Sequence, residues 1–294
     1  HFQIAFYVMF AAILWWIWKL IGVWREDGQL YAIVRVGVPF LIFLTLTGLI
    51  AAPQIISTQE LAMNSHRMRD VTPEGYERFL SNAVAPYRLI TAFAPDFFGN
   101  PSKNNYYLLG NLDGHIGSAA DYMEDGMYIG ILPLMLAMIA LGQVFKRRHV
   151  GFFAALGLIA ILAAIGTPIN AVFYYLIPGF SALGGPNRIL LLYLFSMAAL
   201  AGYGSEFFTQ RFAEKVRLRR FFSALIVGLI VADLFAFGIN YNPTCERSKV
   251  YPRTELTDTL KRVAGNGRIA PINPKWSLFT TPNAILPPNA AMVY

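Results

Sequence analysis

The sequence predicts an all-α polytopic membrane protein: about six transmembrane helices, a long extracytoplasmic loop, and the start of a small extracytoplasmic α/β domain. Three observations carry this. Hydrophobic residues make up 56% of the 294 and charged residues only 14%, and the mean hydropathy is +0.47, more than a solvated surface of this size permits. Apolar runs recur at the length that takes a helix across about 30 Å of hydrocarbon. Basic residues concentrate in alternate short loops, as the bias against translocating Lys and Arg requires.

Six runs qualify as spans: 2–18, 34–52, 128–145, 150–165, 189–203 and 221–238, each flanked by charge, Gly or Pro. A seventh apolar piece, 169–177, is too short to span and is expected to lie in the interface or re-enter. The loop after the first span carries Lys19, Arg25 and Arg35. The next loop on that side carries Lys146, Arg147 and Arg148, and the third carries Arg211, Lys215, Arg217, Arg219 and Arg220. These loops are read as cytoplasmic. The 53–127 loop, the 166–188 loop and the tail from 240 then face outward. The domains expected are a transmembrane region at 1–238, containing the 53–127 loop, and a truncated outer domain at 239–294.

That topology puts residue 1 outside, inside an apolar run without an initiator Met or a basic n-region. The reading therefore expects an earlier stretch with at least one more span, and a continuation beyond "PPNAAMVY". The net charge of +7 is scattered along membrane edges rather than gathered on one face, which excludes nucleic acid as a partner and leaves membrane lipid. Cys245 is the single cysteine, so no disulfide forms within the chain. No Walker, GxSxG, HExxH or Cys/His metal spacing is present. His1, His66, His115 and His149 are isolated from one another.

The 53–127 loop is too rich in aromatic and apolar residues for a disordered linker. Its stretch "SHRMRDVTPEGYERFLSNAVAPYRLITAFAPDFFGNP" mixes Arg67, Arg69, Arg78 and Arg88 with apolar positions, as short helices lying on a bilayer would. Its second part gathers Asp113, Asp121, Glu124 and Asp125 ahead of the third span. In the tail, "TELTDTLKRVAGNGRIAPI" reads as an amphipathic helix with Leu256, Leu260 and Val263 on one face, Gly265 as a stop, and a strand after it. Trp15, Trp16, Trp18 and Trp24 read as an interfacial belt. Gly202 and Gly204 read as a close helix contact.

Several ordered motifs, "FAPDFFGNP", "DGMYIGILPLMLAMIAL", "PGFSALGGPNRILLLYLFSMAALAGYG", "ADLFAFGINYNPT" leading into "VYPRTELTDTLK", and the terminal "LPPNAAMVY", together resemble the YfhO family of bacterial membrane proteins. The resemblance runs from about residue 53 to the end. It implies a GT-C type glycosyltransferase of the bacterial cytoplasmic membrane with a polyprenyl-phosphate-linked sugar as donor. Transfer would take place on the outer side, onto a cell-envelope polymer such as teichoic acid. It also implies an acidic base or metal ligand in a first outer loop upstream of His1, so the catalytic residue is left unassigned, with Asp96 and Asp121 as candidates.

Such a reaction needs a groove for the lipid, a cation for the phosphate and a carboxylate for the acceptor proton. Arg188, at the outer end of the fifth span, offers a fork that suits phosphate, behind Gly184, Gly185 and Pro186; the competing reading is a snorkelling anchor. Asp96 is either a turn residue ahead of Gly99 or a carboxylate in the substrate cavity, with Phe97 and Phe98 as walls for the sugar. Asp121, Glu124 and Asp125 are either a solvated acidic cluster or ligands of a divalent cation bridging to the donor phosphate, with Glu124 and Asp125 the metal candidates. Asp233, inside the sixth span, either makes a structural hydrogen bond or lines the substrate cavity. Two other classes compete with the transferase. A transporter or flippase of lipid-linked sugars would use interrupted helices, of which one break is visible at 166–186. A non-catalytic membrane scaffold is the other.

Overall fold

The computed structural model of the chain describes residues 2–28, 30–64, 71–100, 103, 105, 122–239, 246–247, 254–265 and 267. Among them all regular structure is helical. The helices are α1 (Phe2–Asp27), α2 (Leu30–Met63), α3 (Pro73–Leu80), α4 (Ile131–Leu141), α5 (Arg148–Ala164), α6 (Ile169–Leu176), α7 (Leu190–Gln210), α8 (Val216–Gly238) and α9 (Glu255–Ala264), with 3-10 turns at Pro86–Ala92, Phe180–Ala182 and Asn187–Ile189. The chain divides into two compact units, His1–Ile239 and Asn240–Tyr294.

Among the described residues, four helices are long and apolar enough to cross a membrane: Phe2–Glu26, Ile33–Leu61, Asn187–Gln210 and Val216–Gly238. A fifth is obtained if α5 and α6, which meet at 89°, count as one broken span. Leu41, Ile42, Leu46, Leu49 and Ile50 of α2 are all exposed, a surface suited to lipid rather than water.

The count differs from six for local reasons. The run 128–145 yields only the eleven residues of α4, ~17 Å at about 1.5 Å per residue, short of a crossing. Gly130, at φ +96°, sets its start, and a series of turns from Gly142 to Lys146 ends it. The run 150–165 forms α5, stopped by Gly166 at φ +78°, after which Pro168 leads into α6. In the other direction, α2 continues through Pro53 to Met63, so the first eleven residues of the expected 53–127 loop are helix. A proline forfeits one hydrogen bond; the apolar run and a Gln54–Thr58 side-chain bond at 3.1 Å carry the helix past it.

α7 is the central helix, packed against α1, α4, α5 and α8. Half of its apolar window is buried, against 6% or less in α1, α2 and α8. Gly204 makes the α4 contact possible, because a Cβ there would overlap the Leu136 carbonyl; Gly202 faces open space. On the other side of α7, Ser196 sits 3.2 Å from where a Cβ on Gly157 of α5 would stand. Small residues thus bring backbones together where lipid leaves no hydrophobic drive between helices.

In α3, Thr72 caps the helix by accepting from the Gly75 amide at 3.0 Å, and Pro73 begins it. Its apolar face is covered by protein: Phe79 is fully buried against Tyr174 and Phe180, and Tyr76 lies on Tyr174 and Tyr175. The bilayer is therefore not what buries this face. The tryptophans likewise divide. Trp15 and Trp18 pack on Phe152, and Trp16 stacks on Phe40 of α2. Only Trp24 of the four is largely exposed.

In the second unit, α9 starts with a reciprocal Thr254–Thr257 capping box and ends at Gly265, φ +51°. Leu256 and Val263 are exposed there. The strand expected after α9, Cys245, and Asp113, Asp121, His66 and His115 of the loop lie outside the described residues.

Candidate functional site

Arg188 stands where the chain turns into α7. Pro186 opens the 3-10 turn Asn187–Ile189, and buried Ile189 and Leu190 anchor it from below. This fixes the Arg188 backbone, and two other chain segments close around its side chain. From the turn at 122–125, Glu124 Oε1 accepts from Arg188 Nε at 2.8 Å and forms an ion pair with Nη2. From the first turn of α1, Gln3 Oε1 accepts from Nη1 at 3.1 Å. From the neighbouring position, Asn187 Nδ2 donates to the other Glu124 oxygen at 3.1 Å and lies 3.5 Å from Asp125 Oδ1. Asn187, Gln3 and Asp125 are buried; the Arg188 and Glu124 side chains keep 31% and 29% exposure, enough for a ligand to reach them.

The glycines before Arg188 have a packing role. A Cβ on Gly185 would sit 2.5 Å from the Asn82 side chain. The two carbonyls are acceptors: Gly184 O from Asn82 Nδ2 at 3.0 Å and Gly185 O from Gln3 Nε2 at 2.8 Å. The loop of 81–85, α1 and the 184–188 turn are thereby tied together. Backbone approach to a ligand is not needed to explain Gly185.

Asp96 belongs to an adjoining knot. Its carboxylate accepts from Asn100 Nδ2 at 2.9 Å, Tyr122 OH at 2.6 Å and Lys103 Nζ at 2.9 Å, while its backbone carbonyl closes a turn onto Gly99, φ +89°. Burial alone would raise the Asp96 pKa, but the bonds from Lys103, Tyr122 and Asn100 outweigh it and hold the carboxyl below its usual range. A carboxylate so stabilised in its charged form is a poor proton acceptor. The turn reading of Asp96 is the one that the geometry fits. Phe98 is buried between Tyr87 and the Arg88 guanidinium, 5.3 Å from each, so its faces are occupied; Phe97 is exposed.

Asp233 sits elsewhere. From α8 it accepts from Tyr128 OH at 2.7 Å and from the Ile131 amide at 3.0 Å, capping α4, whose own N-cap, Gly130, has no side chain. It makes the structural hydrogen bonds that were one of its two readings. Glu124 and Asp125 meet Arg188 and Asn187 rather than each other's prospective metal, and among the described residues no three His, Cys, Asp or Glu side chains converge on one point. Asp121, the third member of that acidic group, lies outside the described residues.

Gln3, Tyr7 and Asn187 were not singled out from sequence. Gln3 and Tyr7 carried a signal nonetheless: they are four apart in an apolar helix, hence on one face, and Gln3 Nε2 donates to Tyr7 OH at 3.1 Å.

An apolar groove of about 380 Å3 runs between α1, α5 and α7, lined by Val8, Trp15, Phe153, Leu156, Leu191 and Phe195 among others. Val8 follows Tyr7 in α1 and Leu191 is three residues past Arg188, so groove and polar cluster draw on the same two helices, although Gln3, Glu124 and Arg188 are not among the groove's lining residues. A charged fork and an apolar channel on the same helices are the two parts needed to hold an anionic head with an isoprenoid or acyl tail. Comparison with family models, curated proteins and solved structures found no match.

Proposed function

We propose that the chain is part of a membrane glycosyltransferase that takes a sugar from a polyprenyl-phosphate-linked donor and passes it to a cell-envelope polymer on the outer side of the cytoplasmic membrane. The observation that carries the reading is the half-exposed Arg188–Glu124 pair where the chain enters α7, with an apolar groove along the same helix. The groove takes the first isoprene units. The Arg188 fork takes the phosphate, displacing Glu124. As the acceptor hydroxyl oxygen bonds to the anomeric carbon, the bond from that carbon to the phosphate oxygen breaks, and polyprenyl phosphate leaves with the electron pair, its charge met by Arg188. The released Glu124 carboxylate then takes the acceptor proton. The resemblance to YfhO proteins supports the donor class and the outward side.

The test is photocrosslinking from within the groove. A photoreactive amino acid at Leu191 or Phe195 of full-length protein in membranes should capture radiolabelled polyprenyl phosphate. Capture at Leu229 of α8, outside the groove, should be at background. Equal capture at both positions would reduce the groove to ordinary lipid contact.

One observation favours a transporter or flippase instead: the 89° break between α5 and α6 has the form of an interrupted helix. Counterflow of a lipid-linked sugar without net transfer, in vesicles holding purified protein, would support that alternative.

A further inference from the structure

A second cavity, of about 440 Å3, lies at the other end of α1, α5 and α7 and takes no part in the site above. Gln3 and Glu26 mark the two ends of α1, ~35 Å apart at about 1.5 Å per residue, slightly more than the hydrocarbon thickness. This second cavity is therefore at headgroup level on the opposite face from Arg188. Its wall carries Lys19, Arg147 and Arg148 with Glu26, and Glu206 pairs with Arg147, which leaves one cation in excess.

The cations are built into the wall. Arg148 reaches from α5 across α1 to Glu26 at 2.7 Å, and Arg147 reaches to Glu206 of α7 at 3.2 Å. The guanidinium passes over Gly22, where a Cβ would overlap it and push the side chain aside. Lys19 Nζ lies 5.1 Å over the Trp15 ring and makes no ion pair among the described residues. α5 starts at Arg148 without a side-chain cap, so its positive end adds to the same field. A simple snorkelling cation stretches away from the protein to water; both arginines here fold against neighbouring helices around a hollow.

We infer that this cavity holds the phosphate of an anionic phospholipid headgroup from the leaflet on that side. Lys19 supplies the uncompensated charge, and Arg148, held over Gly22 by Glu26, supplies the fork. The ligand class follows from charge complementarity and from the cavity's depth at the membrane surface. The inference does not rest on the transferase reading, because it concerns the opposite end of the helices.

The test is lipid retention by the full chain, purified in detergent and measured by native mass spectrometry and thermal unfolding with added phosphatidylglycerol or phosphatidylcholine. Wild-type protein should retain phosphatidylglycerol and unfold at higher temperature with it than with phosphatidylcholine. Lys19→Gln and Arg148→Gln should each weaken retention about tenfold, and Gly22→Ala, which pushes the Arg148 fork aside, should weaken it less. Should Gly22→Ala fail to fold, the two surface variants decide the matter alone. Equal retention by wild type and both variants would overturn the site and leave anchors only. Protection by soluble glycerol phosphate as strong as by the lipid would overturn the lipid assignment in favour of a free phosphate ligand. Since retention is read without any sugar transfer, either proposal can fail while the other stands.

Discussion

Glu124 holds Arg188 through one oxygen, which takes both Nε and Nη2, and uses its other oxygen for Asn187. The pair is closed on itself, so a phosphate must compete with a carboxylate that is already seated. That competition separates binding from turnover.

Glu124→Gln keeps the shape and removes the charge. Under the proposed mechanism it should tighten polyprenyl-phosphate binding several-fold, because the competitor for Arg188 is gone, and lower sugar transfer by at least about tenfold, because the proton acceptor is gone. Binding and transfer falling together would mean that Glu124 only positions Arg188.

Asp96 sets an acid limit on the stability of its knot. Its folded pKa lies below the unfolded value of about 3.9 as a result of Lys103, Tyr122 and Asn100 overcoming burial. The contribution is fully present above the unfolded value and disappears as pH falls through the folded one. Wild type should therefore exceed Asp96→Asn in unfolding temperature by a constant margin at pH 5–8, and the margin should shrink below about pH 4. A margin that widens in acid would show that the carboxyl is not the stabilised ionised form.

Gly204 and Gly202 are two residues apart in α7 and should behave oppositely. Gly204→Ala forces a methyl onto the Leu136 backbone and should cost about 2 kcal/mol. Gly202→Ala meets nothing within 4 Å and should be neutral or slightly stabilising. Thermal unfolding in detergent measures both.

Asp233→Ala should cost about 1 kcal/mol through the lost α4 cap and leave sugar transfer per folded molecule unchanged. A drop in transfer at equal fold would return Asp233 to the substrate cavity.

Much of this organisation was legible in the sequence, and the exceptions share a cause. The long apolar helices, the Gly265 stop, the Gly204 contact and Arg188 at a helix mouth each depend on local chemistry within a few residues. What failed to show depends on partners far along the chain. Nothing near Phe79 indicates that Tyr174 and Phe180 cover it rather than lipid, and hydropathy cannot tell those two surroundings apart. Nor does "DGMYIGILPLMLAMIAL" reveal that Gly130 and Gly142 cut its helix to eleven residues. The Gln3–Arg188–Glu124 cluster joins positions 185 and 64 residues apart; only the residue types, a polar pair on an apolar helix and an acid just before a span, were visible beforehand. Pro53 misled in the opposite sense, since a breaker signal is weak inside a long membrane helix.

The central claim is that Arg188 binds the donor phosphate, and its most direct test is sugar transfer from a lipid-linked donor by full-length protein in membranes, comparing wild type, Arg188→Lys and Arg188→Ala at matched abundance. Lysine keeps the charge and loses the fork, and alanine loses both. Activity should fall stepwise, with lysine down by roughly tenfold and alanine to background. Wild-type transfer by a properly inserted Arg188→Ala protein would contradict the claim and leave Arg188 as the structural partner of Glu124.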